Sequence, residues 1–160
     1  KILVLSDSHG AIAPMEQAVE RTDPIDPPPG GLLADAERLG QSFPKIPLQQ
    51  VPGNCDFRSD EPAERLLCLD HFRILMCHGH TYGVKQSLVN AGFAAEAQNL
   101  DLFLFGHTHR PLVDWRGKTL FLNPAVSATA GNPLTAWSLL PVENWMAASV
   151  CWSKRSTDSI

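Results

Sequence analysis

Histidines, a carboxylate and an amide gather in short polar segments of this chain that can bind metal. Five of the six histidines lie in three segments, residues 7–9, 78–80 and 106–109. A fourth segment, residues 53–56, has no histidine but supplies Asn54 and Asp56. Imidazole nitrogens combined with carboxylate and amide oxygens suit Mn²⁺, Fe²⁺ or Zn²⁺ better than Ca²⁺. Since no thiolate cluster accompanies them, a structural zinc site is disfavoured, and the pattern predicts a site for a reactive divalent ion.

Strand ends are the expected positions of these segments. The runs KILVLS, FRILMC and LFLF precede residues 7–9, 78–80 and 106–109 respectively. Continuous apolar runs of this length are typical of strands buried on both faces. In α/β sheets, ligands gather beyond the carboxyl ends of the strands. We therefore expect the segments to meet at one rim of the fold.

The remaining pattern predicts a mixed α/β sandwich with sheets inside and helices outside, because βα units come first and a run of strands follows. Helical spacing covers residues 11–21, 32–39 and 84–100. Further strands are predicted at 46–51, 66–69, 112–115, 119–122, 135–140 and 145–152. Residues 23–31 read DPIDPPPGG. Proline donates no hydrogen bond to a sheet ladder, so this stretch is predicted to be an extended loop.

Size and charge narrow the class of protein. A chain of 160 residues is expected to form a single domain over 1–160. Thirteen basic and 17 acidic residues give a net charge of −4 without a basic patch, which argues against nucleic-acid or membrane-surface binding. No apolar run approaches the roughly 20 residues of a membrane span, and no signal peptide is predicted. The four cysteines form no C-x-x-C pair, which indicates reduced thiols and a cytoplasmic protein.

The order of these motifs carries a family resemblance. SDSHG, GNCD, HGH-x-YG-x-K, LFGHTH-x-P and LNP follow one another along the chain. Together they resemble the calcineurin-like metallophosphoesterase superfamily and, within it, the small bacterial and archaeal phosphodiesterases of the YfcE type. The likeness covers about residues 1–140. It implies a four-layer αββα sandwich that hydrolyses phosphodiesters, with a small-molecule phosphate ester as substrate.

The resemblance also implies a two-metal site. Two divalent ions, Mn²⁺ in first place and Ni²⁺, Fe²⁺, Zn²⁺ or Mg²⁺ as alternatives, would polarise the phosphoryl group and make hydroxide available at neutral pH. Carried over residue by residue, one ion would be held by Asp7, His9 and His109. The other would be held by Asn54, His78 and His107.

Catalytic roles follow from the same resemblance. Asn54 would orient the phosphate as well as bind metal. Asp56 would orient a neighbouring ligand or cap its turn. Cys55 stands where many relatives have a histidine that protonates the leaving group, and a thiol is a poorer acid for that task. Independently of the resemblance, three further residues are candidates for contact with the substrate, with ordinary solvated surface charge as the alternative for the two arginines: Arg58, His80 and Arg110.

One departure from the family concerns a carboxylate. The family has a Gly-Asp motif after its second strand, and that Asp bridges both metals; here Gly31 stands in its place, after the prolines of 23–31. Without a bridging carboxylate we expect weaker binding of at least one ion and a lower rate. Asp26 and Asp35 are candidate substitutes, although neither has the matching position. A local reading-frame slip is an alternative explanation, and it would also account for the divergent tail 141–160.

Two readings of function follow. The first is a phosphodiesterase, weakened by the change at Gly31. The second is a catalytically silent scaffold on the same fold, since the small retromer subunit shows that this fold can serve as a protein-binding platform. The resemblance further implies a homodimer or a homotetramer.

Overall fold

Seven strands and three helices form in the residues that this computed structural model describes, which are 2–8, 10, 12–22, 33–56, 59–69, 71–124 and 137–139. The strands are β1 (Ile2–Val4), β2 (Glu64–Leu69), β3 (Phe72–Cys77), β4 (Leu102–Leu104), β5 (Leu112–Arg116), β6 (Thr119–Asn123) and β7 (Trp137–Leu139). The helices are α1 (Ile12–Thr22), α2 (Leu33–Ser42) and α3 (Val89–Ala97), with a short 3₁₀ turn, His80–Tyr82, before α3.

The strands form two sheets. β1 pairs antiparallel with β7, and the other five have the order β2-β3-β4-β6-β5. The three central strands β3, β4 and β6 run parallel, whereas β2 and β5 are antiparallel to their neighbours. The carboxyl ends of the central strands therefore meet at one edge. The predicted segments 78–80 and 106–109 follow β3 and β4 at this edge, and β6 ends there at Asn123.

Three apolar clusters separate four layers. The first joins α1 and α2 to one face of β1 and its extension: Leu3, Leu5, Met15, Ala18, Val19 and Leu39. The second lies between the two sheets: Val4, Val51, Ile74, Met76, Leu102, Leu104, Leu120 and Leu122. The third packs α3 and the preceding turn on the outer face of the large sheet: Leu75, Cys77, Val84, Ala91, Ala95, Leu100, Phe103, Phe105 and Phe121.

Strand alternation explains these layers. Successive side chains of a strand point to opposite faces, so Ile74 and Met76 enter the middle cluster while Leu75 and Cys77 enter the outer one. A strand buried on both faces is apolar throughout, as the continuous run FRILMC predicted. The predicted αββα sandwich is thereby confirmed.

Two element predictions were wrong. Residues 46–51 form no strand apart from a single bridge at Gln49, because Pro47 interrupts the run and has no N–H to donate. The helix predicted over 84–100 is shorter, since residues 83–86 form a turn that begins at Gly83 with φ 64°. The helix α3 begins only after that turn, at Val89.

Several sequence predictions fall outside the described residues. They are the Pro-rich loop 23–31, the strand 145–152 and the tail 141–160. None of the helices in the described part of the chain has the length and apolar character that a membrane crossing requires.

Candidate metal centre

A cleft of about 240 Å³ opens at the carboxyl edge of the large sheet, where it meets the segment that follows β1. We call it the rim cleft. Its lining residues are Asp7, Ser8, Gly53, Asn54, Cys55, Asp56, His78, Lys85, His107 and His109. All four polar segments predicted from the sequence contribute to this lining.

Asp7 ties the segment after β1 to the loop after β4. Its carboxylate is buried and accepts the backbone N–H of His107 at 3.0 Å (Oδ2) and 3.2 Å (Oδ1). The Ser6 hydroxyl donates to Oδ2 at 3.0 Å. His109 Nε2 lies 3.5 Å from Oδ1. The Asp7 carboxylate and the His109 ring therefore form one group of potential ligands.

His78 is the centre of a second group. Its Nε2 lies 2.9 Å from Asn54 Oδ1 and 3.0 Å from His107 Nδ1. One ring nitrogen thus faces an amide oxygen and a second imidazole nitrogen. Such convergent lone-pair donors are the atoms that a divalent ion coordinates.

Electrostatics favour the neutral, metal-binding form of these imidazoles. Burial lowers the pKa of His78 from 6.5 to about 4; His107 and His80 oppose its charge further, while Asp7 acts in the other direction. The pKa of His107 is also lowered, first by burial and then by the charge of Lys85. Metal binding requires deprotonated ligands, so lowered pKa values keep these two rings ready to coordinate.

The backbone at the rim cleft is strained. Asp7, His107 and His109 have φ values of 53°, 68° and 56°. These values lie in the left-handed region, which residues other than Gly rarely adopt. Asn99 is the one other non-glycine residue with positive φ in the described part of the chain. Strain of this kind costs on the order of 1–3 kcal/mol per residue and concentrates at functional sites. Three of four strained residues lie at the cleft, which marks it as a functional site.

Asn123 and Gly106 hold the loop after β4 in place. The fully buried Asn123 amide donates to the Gly106 carbonyl at 3.0 Å and to Thr108 Oγ1 at 2.8 Å. A Cβ at Gly106 would lie 2.8 Å from Asp7 Oδ2, so only glycine fits between β4 and Asp7. The sequence motifs contained both residues, but neither was predicted to have a role.

Asp35, one of the two candidate substitutes for the missing carboxylate, is buried beside the segment that follows β1. It lies in the first turn of α2 and is only 4% exposed. Its Oδ2 accepts the Ser8 hydroxyl at 2.6 Å and the Gly10 N–H at 2.8 Å, so it lies directly behind the cleft wall. Helical spacing was the available signal, because Asp35 shares the buried face of α2 with Leu39, four residues later.

The other predicted site residues have varied positions. Asp56 lines the cleft and closes its own turn, accepting the Gly53 N–H at 2.8 Å. The His80 ring lies 5.3 Å from that of His78 but outside the lining, and its buried Nδ1 has no hydrogen-bond partner among the described residues. Arg110 is exposed and is not part of the lining. His9 and Arg58 lie outside the described residues.

The donor set fits divalent ions. Within the part of the chain that is described, no three His, Cys, Asp or Glu side chains converge on one point. The His78 group, however, completes its set with the amide of Asn54, which is not one of those residue types. The third predicted ligand of the Asp7 group is His9. The contacts divide the side chains as the predicted ligand sets do, and the ligand roles themselves stay predictions.

Comparison with known proteins identifies the family to which this chain belongs. Residues 1–136 match the family described as the calcineurin-like phosphoesterase superfamily domain. The probable metallophosphoesterase YsnB of Bacillus subtilis is 33% identical over 150 residues, which cover 89% of this chain and 85% of that protein. The phosphodiesterase YfcE of Escherichia coli K12 is 27% identical over 169 residues, covering 88% and 86%.

A solved structure agrees on the fold. Vps29 of Entamoeba histolytica, complexed with Zn²⁺, superposes with a TM-score of 0.65 at 21% identity, over 78% of this chain and 73% of that one. The chain therefore belongs to the calcineurin-like phosphoesterase superfamily, as its motifs indicated.

Proposed function

We propose that this chain is a metal-dependent phosphodiesterase with two divalent ions, Mn²⁺ in first place, in the rim cleft. The observation that carries the proposal is the division of the contacts into two groups. Asp7 lies beside His109, and His78 lies beside both Asn54 and His107. His9, which precedes Gly10 in the Asp7 segment, completes the first set. The names of the curated relatives support the same reaction class.

The chain's own side chains have separate tasks in this reaction. The two ligand groups would hold the divalent ions, which when bound would supply Lewis-acid polarisation of the phosphoryl group and activation of water. The Asn54 amide has an N–H left to donate to a phosphoryl oxygen while its Oδ1 faces His78. Cys55 is exposed at the cleft, where its thiol is the neighbouring proton donor for a leaving oxygen. A thiol is a weak donor, so good leaving groups are favoured.

The absence of the family's bridging Asp, which Gly31 replaces, has two candidate consequences: a weakened site, or a site in which another carboxylate takes its place. The weakening expected from Gly31 stays a prediction. Asp35 supports the alternative that a carboxylate reaches the site from α2. Its described partners, the Ser8 hydroxyl and the Gly10 N–H, are both neutral. Ser8 also lines the rim cleft, so the Asp35 carboxylate lies one hydrogen bond behind the wall at which the ions would bind.

Metal content and turnover, measured on the same preparations, test the enzyme proposal. We expect hydrolysis of bis(4-nitrophenyl) phosphate that depends on added Mn²⁺, with about two ions per chain by elemental analysis. His78→Ala and His107→Ala should each lose bound metal and nearly all turnover. His71→Gln, in the exposed turn between β2 and β3, is the matched control. A folded wild-type protein with neither metal nor turnover would refute the proposal.

A pair of variants separates the two carboxylate explanations. If Gly31 marks a lost ligand, Gly31→Asp raises Mn²⁺ affinity and rate, while Asp35→Asn changes neither beyond its effect on stability. If Asp35 supplies the carboxylate, Asp35→Asn lowers Mn²⁺ affinity about 10- to 100-fold and Gly31→Asp has no effect. Isothermal titration with Mn²⁺ measures both.

A scaffold without activity is the second candidate function. Val89 and Phe93 on α3 are 56% and 67% exposed and line a groove with Phe121. Exposed apolar side chains of this size are suited to protein contact. The same turnover assay decides between the two, because a scaffold would remain folded while lacking Mn²⁺-dependent hydrolysis.

Location and assembly complete the proposal. Cys55, Cys68 and Cys77 are all free thiols, which supports a reducing, cytoplasmic location.

We propose a small-molecule phosphate ester as the substrate and a homodimer or homotetramer as the assembly. Light scattering coupled to size-exclusion chromatography measures the assembly, and a monomer at all concentrations would contradict it.

A further inference from the structure

Lys85 is a cation at the rim cleft that the two-metal site does not use. It is exposed, and it is the only lysine or arginine lining this cleft among the described residues. Each carboxylate of the lining already has a partner there: Asp7 accepts the His107 N–H, and Asp56 accepts the Gly53 N–H. Within the described part of the chain, no carboxylate pairs with Lys85. Its charge is therefore free for a ligand.

The backbone under Lys85 is firmly held. The preceding residue, Val84, is 6% exposed and packs in the outer apolar cluster. The Val84 N–H donates to the Gly79 carbonyl at 3.4 Å, and the Gln86 N–H donates to the Gly83 carbonyl at 2.9 Å. The side chain thus extends from a fixed turn towards the cleft. A fixed origin lowers the cost of ordering a long side chain on a ligand.

Lys85 lines the same cleft as His78 and His107. A phosphate ester bound in this cleft would therefore lie beside the lysine.

We propose that Lys85 binds a negatively charged substrate oxygen, so that it contributes more to the binding of a phosphate ester with a second negative charge than to that of a singly charged diester. This inference deepens the proposed function and rests on it for the identity of the reacting group. Lysine suits the task because its ammonium is a compact point charge with three N–H donors, which can donate to anionic oxygens in varied geometry.

Two substrates that differ by one charge test the inference. 4-Nitrophenyl phosphate is a dianion at about pH 8, and methyl 4-nitrophenyl phosphate replaces one anionic oxygen by a methyl ester. An exposed charge pair contributes up to about 1 kcal/mol, so we expect Lys85→Met to raise KM for the dianion about 2- to 5-fold. The same variant should leave KM for the methyl ester nearly unchanged. Lys85→Arg should restore most of the difference. Lys118→Met, which changes an exposed lysine that donates to Asn99, is the control.

Binding of inorganic phosphate gives a readout that needs no turnover. Isothermal titration should show phosphate affinity falling about 2- to 5-fold in Lys85→Met and remaining unchanged in Lys118→Met. Equal losses for both substrates, or unchanged phosphate affinity, would overturn the role of Lys85. Lys85-dependent phosphate binding without turnover of either substrate would support the inference while refuting the proposed enzyme. Turnover of both substrates that Lys85→Met leaves unaltered would support the proposed enzyme and refute the role of Lys85.

Discussion

Gly106→Ala tests whether the two sheets are closely fitted at the rim cleft. Gly106 follows β4, and its Cα faces the segment after β1. A Cβ there would lie 2.8 Å from Asp7 Oδ2, 2.8 Å from Ser6 Cβ and 3.0 Å from Ser6 Oγ. Real Cβ atoms do not approach heavy atoms closer than 3.0 Å, and Asp7 is held by the His107 N–H. The methyl group therefore pushes the loop after β4 away from Asp7.

The cost combines overpacking with displacement of ligands. One methyl group forced into a filled site typically costs about 1–3 kcal/mol. A loss of about 2 kcal/mol lowers Tm by roughly 4–8 °C for a chain of this size. Because His107 and His109 lie on the displaced loop, we also expect Mn²⁺ affinity to fall about 10- to 100-fold, as for the loss of a residue that orients ligands.

Thermal unfolding and Mn²⁺ titration measure the two effects. Gly92→Ala is the control, since a Cβ at Gly92 inside α3 meets nothing within 4 Å. Alanine is the better helix former by up to about 1 kcal/mol, so that variant should be more stable, with unchanged Mn²⁺ affinity. If Gly106→Ala retains wild-type Tm and Mn²⁺ affinity, the close approach of Asp7 to β4 is refuted.

Three further predictions concern the same site. Asn123→Ala removes the two hydrogen bonds that hold Gly106 and Thr108, so we expect a loss of about 1–3 kcal/mol in urea unfolding and weaker Mn²⁺ binding; unchanged values would contradict the role of the amide. The pKa of His78 is about 4 in the fold against 6.5. The unfolded chain therefore binds this proton first, and the metal-free protein should lose stability as pH falls from about 6.5 to about 4, with no contribution above. Urea titrations of wild type and His78→Gln across this range measure it, and identical pH profiles would count against it. Cys55→His should raise kcat for an alkyl leaving group and leave an aryl one nearly unchanged, because only the poor leaving group needs a proton donor; equal effects on both would exclude Cys55 as the donor position.

The strands and the position of the site follow directly from local patterns. FRILMC predicted β3 with its observed limits because both faces of the strand are buried, so every residue is apolar. The polar segments lie together because β3, β4 and β6 run parallel, and parallel strands end at the same edge. Neither inference needed knowledge of distant contacts.

Helical spacing could place Asp35 on the buried face of α2, but neither its role nor that of Asn123 could be assigned from pattern alone, because both roles depend on distant partners. Asp35 meets Ser8 across 27 residues, and Asn123 meets Gly106 across 17. A buried polar residue resembles an ordinary helix or strand residue until its partner is known. The strand predicted at 46–51 failed for the opposite reason, since apolar content outweighed the local effect of Pro47 in the prediction.

Three of the proposed ligand residues at the rim cleft conflict with local backbone propensity. Asp7, His107 and His109 adopt left-handed backbone that glycine would adopt at lower cost. Glycine has no side chain to coordinate an ion, so chemistry and conformation make opposing demands at these three positions. The neighbouring structure resolves the conflict: Asp7 accepts the His107 N–H, and Asn123 fixes the loop between the two histidines. Since Asp7 follows β1 and the histidines follow a strand of the other sheet, the hydrogen bonds that maintain the strained backbone also hold the two sheets together at the site.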